Sequence, residues 1–439
     1  MFSLLIKNGT IVNANGRQKA DVAIENGKIV AIGFFPESQA KQIINAENLH
    51  VLPGLVDTQV HMREPGLEYK EDLEAGTRGA VLGGITGVFE MPNTNPSTTT
   101  KAAIEDKLQR MEGRSWCNYA FYIGGTPEAN VNWHELETLK GCCGIKIFMG
   151  ASTGNLLVEE DEAIRNILKK SKRRSAIHSE DNFRLRDRKY IAEEIAHPRA
   201  HPIWRDKESA IIATNRLIKI ARETGAKVHV LHISTAEEMD FLAKNKDVAT
   251  IEILPQFLYF SDEDYETLGS RIQMNPPIRD KENRKGLWKA VQNGIVDVIG
   301  SDHAPHTLPE KAKPYPQSPS GMPGVQTIVP LMLHFVNEGY IPLEKVVQTM
   351  SSCLETIWGV KGKGKVAVGY DADFTIVDMN KEILIRDEDM ANKSGWTPYH
   401  GRTFKGCPTH TIIGGNVIME NGKLITANQG KASMFEFSF

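Results

Sequence analysis

The chain has 439 residues, enough for one large domain and a smaller companion. Hydrophobic residues are 41% and charged residues 24%, the ordinary balance of a soluble globular protein. The formal net charge of −3 gives no electrostatic footing for a nucleic-acid or membrane partner.

The first residues, Met1 to Lys7, lack a basic n-region and reach Lys7-Asn8-Gly9 before an apolar h-region can form, so no secretory signal is expected. No run is long and apolar enough to span a bilayer. The five cysteines, Cys117, Cys142, Cys143, Cys353 and Cys407, are odd in number and scattered, with no CxxC pair. They predict buried free thiols in a reducing cytoplasm, with neither a disulfide framework nor sulfur-bound zinc.

Both ends read as β structure. Residues 4–12, 20–32 and 43–52 alternate or run apolar, with hairpin-forming Asn-Gly pairs at Asn8-Gly9 and Asn26-Gly27. Residues 372–377 and 411–425 repeat this style around Asn421-Gly422. One small β domain, residues 1–52 and 360–439, is expected from the two ends.

Residues 53–359 differ. Eight short apolar runs, at 51–60, 87–91, 119–123, 144–149, 176–178, 228–233, 250–254 and 296–300, alternate with stretches at helical spacing such as 71–82, 159–170, 206–224 and 236–244. Eight βα units of this length predict an α/β chain, a (β/α)8 TIM-like barrel. The competing doubly wound sheet is weakened because no glycine-rich phosphate loop follows the first strand.

A barrel places its chemistry where strands end. The first run leads into Gln59, His61 and Arg63, which share one face by the strand period of two. The fourth holds Lys146 inside an apolar run; a buried lysine is costly unless paired or chemically changed, so it is read as salt-bridged, snorkelling, or carboxylated by CO2. The fifth ends in His178. In the sixth, His232 is in phase with Val228 and Val230 and is the ligand candidate, while His229 lies on the other face. The eighth ends in Asp302, placed to be a ligand or general base. His61, Lys146, His178, His232 and Asp302 therefore stand at five strand ends, a donor set suited to Zn2+ with water completing the site.

With Gly54-Leu55-Val56-Asp57, Met91-Pro92-Asn93-Thr94, His197-Pro198, His201 to Arg205 and Tyr370-Asp371-Ala372-Asp373, the chain resembles the amidohydrolase superfamily over nearly its whole length, and within it the class I dihydroorotases with their hydantoinase and allantoinase relatives. The resemblance implies two zinc ions bridged by hydroxide and by a carboxylated Lys146. His178 and His232 match the ligands of one ion. His61 and Asp302 match those of the other, and Asp302 also matches the proton shuttle. Gln59 stands where the family has His, so unequal sites, one of them weak, are expected.

Arg63, Asn93, Asn275 and His306 match substrate-binding positions; the two asparagines also suit turns next to proline. An arginine at position 63 implies a carboxylate-bearing ring, as in dihydroorotase; hydantoinases and most allantoinases lack it. The rival readings are one of those cyclic amidases, or a scaffold without activity. A homodimer or homotetramer is expected, with aspartate transcarbamoylase as a candidate partner. Residues 307–323, rich in Pro, Lys and Ser, read either as a mobile cover or as a static surface loop.

Overall fold

A computed structural model describes residues 1–152 and 156–438. Eight parallel strands form its centre: β1 (Leu55–Val60), β2 (Ile85–Glu90), β3 (Asn118–Gly124), β4 (Cys142–Phe148), β5 (Ser175–His178), β6 (Val228–Val230), β7 (Ala249–Ile253) and β8 (Val298–Ile299). Each pairs with the next in chain order, as right-handed βα connections require. The ring closes where Val60 bridges His303 and the His61 N–H donates to the His303 carbonyl at 2.7 Å. An open doubly wound sheet has no such closure. The strands are buried on both faces, which explains why they read as apolar runs and not as alternating ones.

Two of the outer helices begin at side-chain caps. Asp72 accepts from the Ala75 N–H at the head of Leu73–Leu82, and Asp206 does the same for Ser209 ahead of Lys207–Thr224. The longer of the two ends at Gly225, φ 69°, in the left-handed cap conformation that glycine adopts without penalty.

The two chain ends share their sheets. In the seven-stranded sheet, His50–Pro53 from the N-terminal part pairs antiparallel with Phe374–Leu384 from the C-terminal part. A four-stranded sheet contains Leu4–Lys7, Asp21–Glu25, Lys28–Gly33 and Ile43–Asn45. Between them lies a separate apolar core that includes Leu4, Ile6, Val22, Val51, Phe374 and Ile412.

Two expectations need correction. The first apolar run is not one strand: residues 50–53 belong to the terminal sheet and β1 starts at Leu55. The chain changes sheet at Gly54, where a Cβ would stand 2.3 Å from Thr86 Oγ1. Asn8-Gly9 does not close a hairpin, because Leu4–Lys7 and Thr10–Asn13 lie in different sheets. The Asn8 N–H is held by Asp21, and Gly9 packs where a Cβ would meet Val51 at 2.7 Å. By contrast, Asn26-Gly27 and Asn421-Gly422 both have positive φ and close two-residue hairpins. All five cysteines are buried free thiols. No helix among the described residues is long and apolar enough to cross a membrane.

Candidate active site

The polar groups gather at the C-terminal ends of the strands. Gln59 and His61 leave β1, and both meet the Asp302 carboxylate from beyond β8: Gln59 Nε2 donates to Oδ1 at 3.1 Å, and His61 Nε2 lies 3.1 Å from the same oxygen. The seam beneath is set by the buried Asp57, which accepts from the Ser301 N–H at 3.0 Å. Burial raises the Asp57 carboxyl to about 7.

Strand phase does not by itself explain this convergence. Arg63, His232 and Asp302 lie past their strand ends with φ of 62°, 41° and 48°. Non-glycine residues rarely occupy this region, and such strain collects at functional sites. At His232 the backbone N–H is tied to the buried Glu252 carboxylate at 3.2 Å. Left-handed turns, and not strand phase alone, aim His232 and Arg63.

Imidazole protonation can be read from partners. His61 Nδ1 lies 2.6 Å from Asn93 Oδ1, so Nδ1 carries the proton and donates. Burial lowers the His61 pKa and holds the ring neutral. Its Nε2 lone pair then faces the Asp302 oxygen, acceptor against acceptor. His178 Nδ1 and His232 Nε2 meet at 3.0 Å, and burial lowers both pKa values. His178 Nε2 lies 3.0 Å from Glu180, outside hydrogen-bonding geometry. His232 Nδ1 is buried without a hydrogen-bond partner. The His61 Nε2 lone pair set against the Asp302 carboxylate is what a cation relieves, and imidazole with carboxylate is a suitable donor set.

Lys146 completes the constellation. It is 1% exposed, so it does not snorkel, and among the described residues no carboxylate comes within ion-pair distance of it. Its Nζ stands 4.5 Å from the Phe148 ring centre. Burial lowers its pKa to about 7, against the pull of Asp302 and Glu252. Burial is the main cause that lowers the pKa of His61, His178 and His232, and the Lys146 charge adds to it. Among the described residues no three His, Cys, Asp or Glu side chains form a metal-binding group. The donors come as two pairs, and an unmodified lysine, a cation or neutral amine, contributes no anion to join them.

Beside this lies a cationic corner. Arg63 is 1% exposed; Nε donates to the Pro305 carbonyl, Nη2 is 3.2 Å from His306 Nε2, and Nη1 has no hydrogen-bond partner. Burial lowers the Arg63 pKa to about 10. Asn275 accepts from His201 Nε2 at 2.9 Å and lines a cavity of about 420 Å³ with His201, Trp204, Arg205 and Ser320. Within residues 307–323, Lys311 Nζ donates to the carbonyls of Pro319 and Gly321, and Gln273 is hydrogen-bonded to Ser318 and Ser320.

Sequence reading missed Glu180, Arg205, Glu252 and Lys70. Burial works to raise the Glu180 pKa, but Arg205, paired with it, and His178 outweigh that and hold it low. Glu252 is raised by burial to about 8. Glu180 sits two residues past His178, which was the one available signal; the others are recognised only from contacts far apart in sequence.

A closed parallel barrel with imidazoles, a buried lysine and an aspartate at its strand ends, flanked by a β domain from both termini, defines a class of hydrolase architecture. The chain belongs to the amidohydrolase family, whose model matches residues 50–418. It is 35% identical to a dihydroorotase of Methanosarcina mazei, covering 99% of this chain and 98% of the relative. It is 31% identical to an allantoinase of Desulfitobacterium hafniense, with 98% of each covered. An L-hydantoinase (dihydropyrimidinase) structure from Arthrobacter aurescens superposes with a TM-score of 0.94 at 27% identity, over 99% of this chain and 100% of that one.

Proposed function

We propose that this protein is a metal-dependent cyclic amide hydrolase, specifically a dihydroorotase. The reaction interconverts (S)-dihydroorotate and N-carbamoyl-L-aspartate, the ring-closing step of pyrimidine synthesis run in reverse. The observation that carries the substrate choice is Arg63, a buried guanidinium with an unpartnered Nη1 beside His61. A buried cation with free donors calls for a planar anion, and dihydroorotate carries a carboxylate on its ring.

Zn2+ is the ion proposed. His178 and His232 would hold one ion and His61 with Asp302 a second, with Lys146, carboxylated, between them and Gln59 contributing at most weakly. Ions there supply Lewis acidity toward the ring carbonyl and lower the pKa of water. The chain's own groups do the rest. Arg63 takes the substrate carboxylate, and Asn93, Asn275 and His306 line its approach. Asp302 accepts the proton of the attacking water and returns it to the leaving ring nitrogen as the C–N bond breaks. Asn93 keeps His61 in one tautomer throughout.

The test is a side-by-side assay of dihydroorotate, hydantoin and allantoin with metal-loaded protein, alongside metal analysis. Turnover of dihydroorotate well above the other two is expected. Preference for hydantoin or allantoin would replace this reading with that of the corresponding relatives, and a protein that takes up no metal and turns over none of the three would favour a scaffold.

A further inference from the structure

Lys70 is 8% exposed and lies on the loop after β1. Its Nζ stands 3.1 Å from His306 Nδ1 and 2.9 Å from Glu310 Oε1. Glu310 is itself fixed: Oε2 accepts from the Thr307 N–H at 3.0 Å in a capping box, and Oε1 from the Tyr69 hydroxyl at 3.1 Å. The ammonium is thus held between a carboxylate and an imidazole.

An ammonium has donors only, so Nδ1 of His306 must accept. Burial, with Arg63 and Lys70 adding to it, keeps His306 neutral, so its one proton sits on Nε2. That N–H donates to the Ser320 carbonyl at 3.0 Å. Arg63 Nη2, 3.2 Å from the same nitrogen, therefore faces an N–H and not a lone pair. With Nη1 unpartnered as well, both outer nitrogens of the guanidinium stay available. In the opposite tautomer His306 Nε2 would accept from Arg63 and occupy one of them.

We infer that Lys70 is a positioning residue: by fixing the His306 tautomer it leaves both Nη groups of Arg63 to grip a ring-borne carboxylate. This rests on the substrate reading above, since a neutral ring would gain nothing from it. It also means that His306 Nε2 is a donor here and is not placed to act as the base.

The experiment compares native protein with Lys70→Met and Lys70→Arg, measuring KM and kcat for dihydroorotate and for the uncharged ring dihydrouracil, with metal content alongside. Lys70→Met should raise KM for dihydroorotate about 10- to 100-fold, the range for a lost hydrogen bond to a charged group. Metal content should hold, dihydrouracil kinetics should not worsen, and Lys70→Arg should recover most of the loss. If Lys70→Met does not fold, Glu310→Gln, which loosens the ammonium but keeps it, should give a smaller rise in the same KM. Unchanged KM for dihydroorotate in the folded variants, or equal loss on charged and neutral rings, would overturn the inference alone. A native protein that fails to turn over dihydroorotate would overturn the substrate reading, and this inference with it.

Discussion

His61 and Asn93 share a hydrogen bond of 2.6 Å, Nδ1 to Oδ1, and this contact decides which imidazole nitrogen faces Asp302. Partners of this kind fix the tautomer of a ligating histidine, and their loss usually costs 10- to 100-fold in metal affinity or activity. Asn93→Ala should therefore weaken metal binding and kcat/KM by about that factor. Equilibrium dialysis and steady-state kinetics on the same preparation check this. A drop in kcat/KM with unaltered metal binding would move Asn93 into a purely substrate-contacting role.

Arg63→Met removes the buried guanidinium. KM for dihydroorotate should rise by the equivalent of about 1.5–3 kcal/mol, while bound metal stays constant. Steady-state kinetics with metal analysis reads both, and an unaltered KM would remove the main support for a carboxylated substrate.

Lys146→Ala should lose metal and turnover together. A buried amine whose pKa is lowered to about 7 is substantially neutral at physiological pH, and the neutral amine is the form that reacts with CO2. Acetate or propionate, added to the variant, should restore part of both. Full metal content in untreated Lys146→Ala would rule out a bridging role.

Gln59 spends its amide N–H on Asp302 and leaves Oε1 buried without a partner. A neutral amide oxygen is a weaker zinc donor than imidazole. Native protein should hold about one tight ion per chain, on the His178/His232 side, and Gln59→His should add a second. Metal titration or anomalous diffraction distinguishes the sites. Two equally tight ions in native protein, with no gain from Gln59→His, would show the replacement to be harmless.

His229 carries no proposed chemistry and gives a test of burial. Desolvation lowers its pKa from 6.5 to about 3, so between those values the unfolded chain binds a proton that the folded chain refuses. Stability linked to His229 is full above pH 6.5 and is lost as pH falls toward 3. His229→Gln lacks this linkage. Its stability should fall less steeply with acid, by about 1.4 kcal/mol per pH unit within that window, as denaturant melts at pH 7, 6 and 5 would show. Parallel slopes for the two proteins would mean His229 titrates normally when folded.

The sequence by itself determined a run of parallel βα units and a set of candidate residues at their strand ends. Eight apolar runs buried on both faces have no stable arrangement other than a covered parallel sheet, and a barrel puts every strand end on one rim. His61, Lys146, His178, His232 and Asp302 were legible because each follows or interrupts such a run. What lay outside the sequence depended on pairings across long chain separations. His61 meets Asp302 across 241 positions, Arg63 meets His306 across 243, and Lys70 meets His306 across 236. Periodicity is a local property and carries no information on which strand end faces which. Nor does it register the left-handed turns that aim Arg63, His232 and Asp302, since a residue past the strand has left the period of two. Only the closed barrel, by bringing β8 beside β1, decides that Gln59 donates to Asp302, which nitrogen His61 presents, and that Lys70 leaves Arg63 free for an anion.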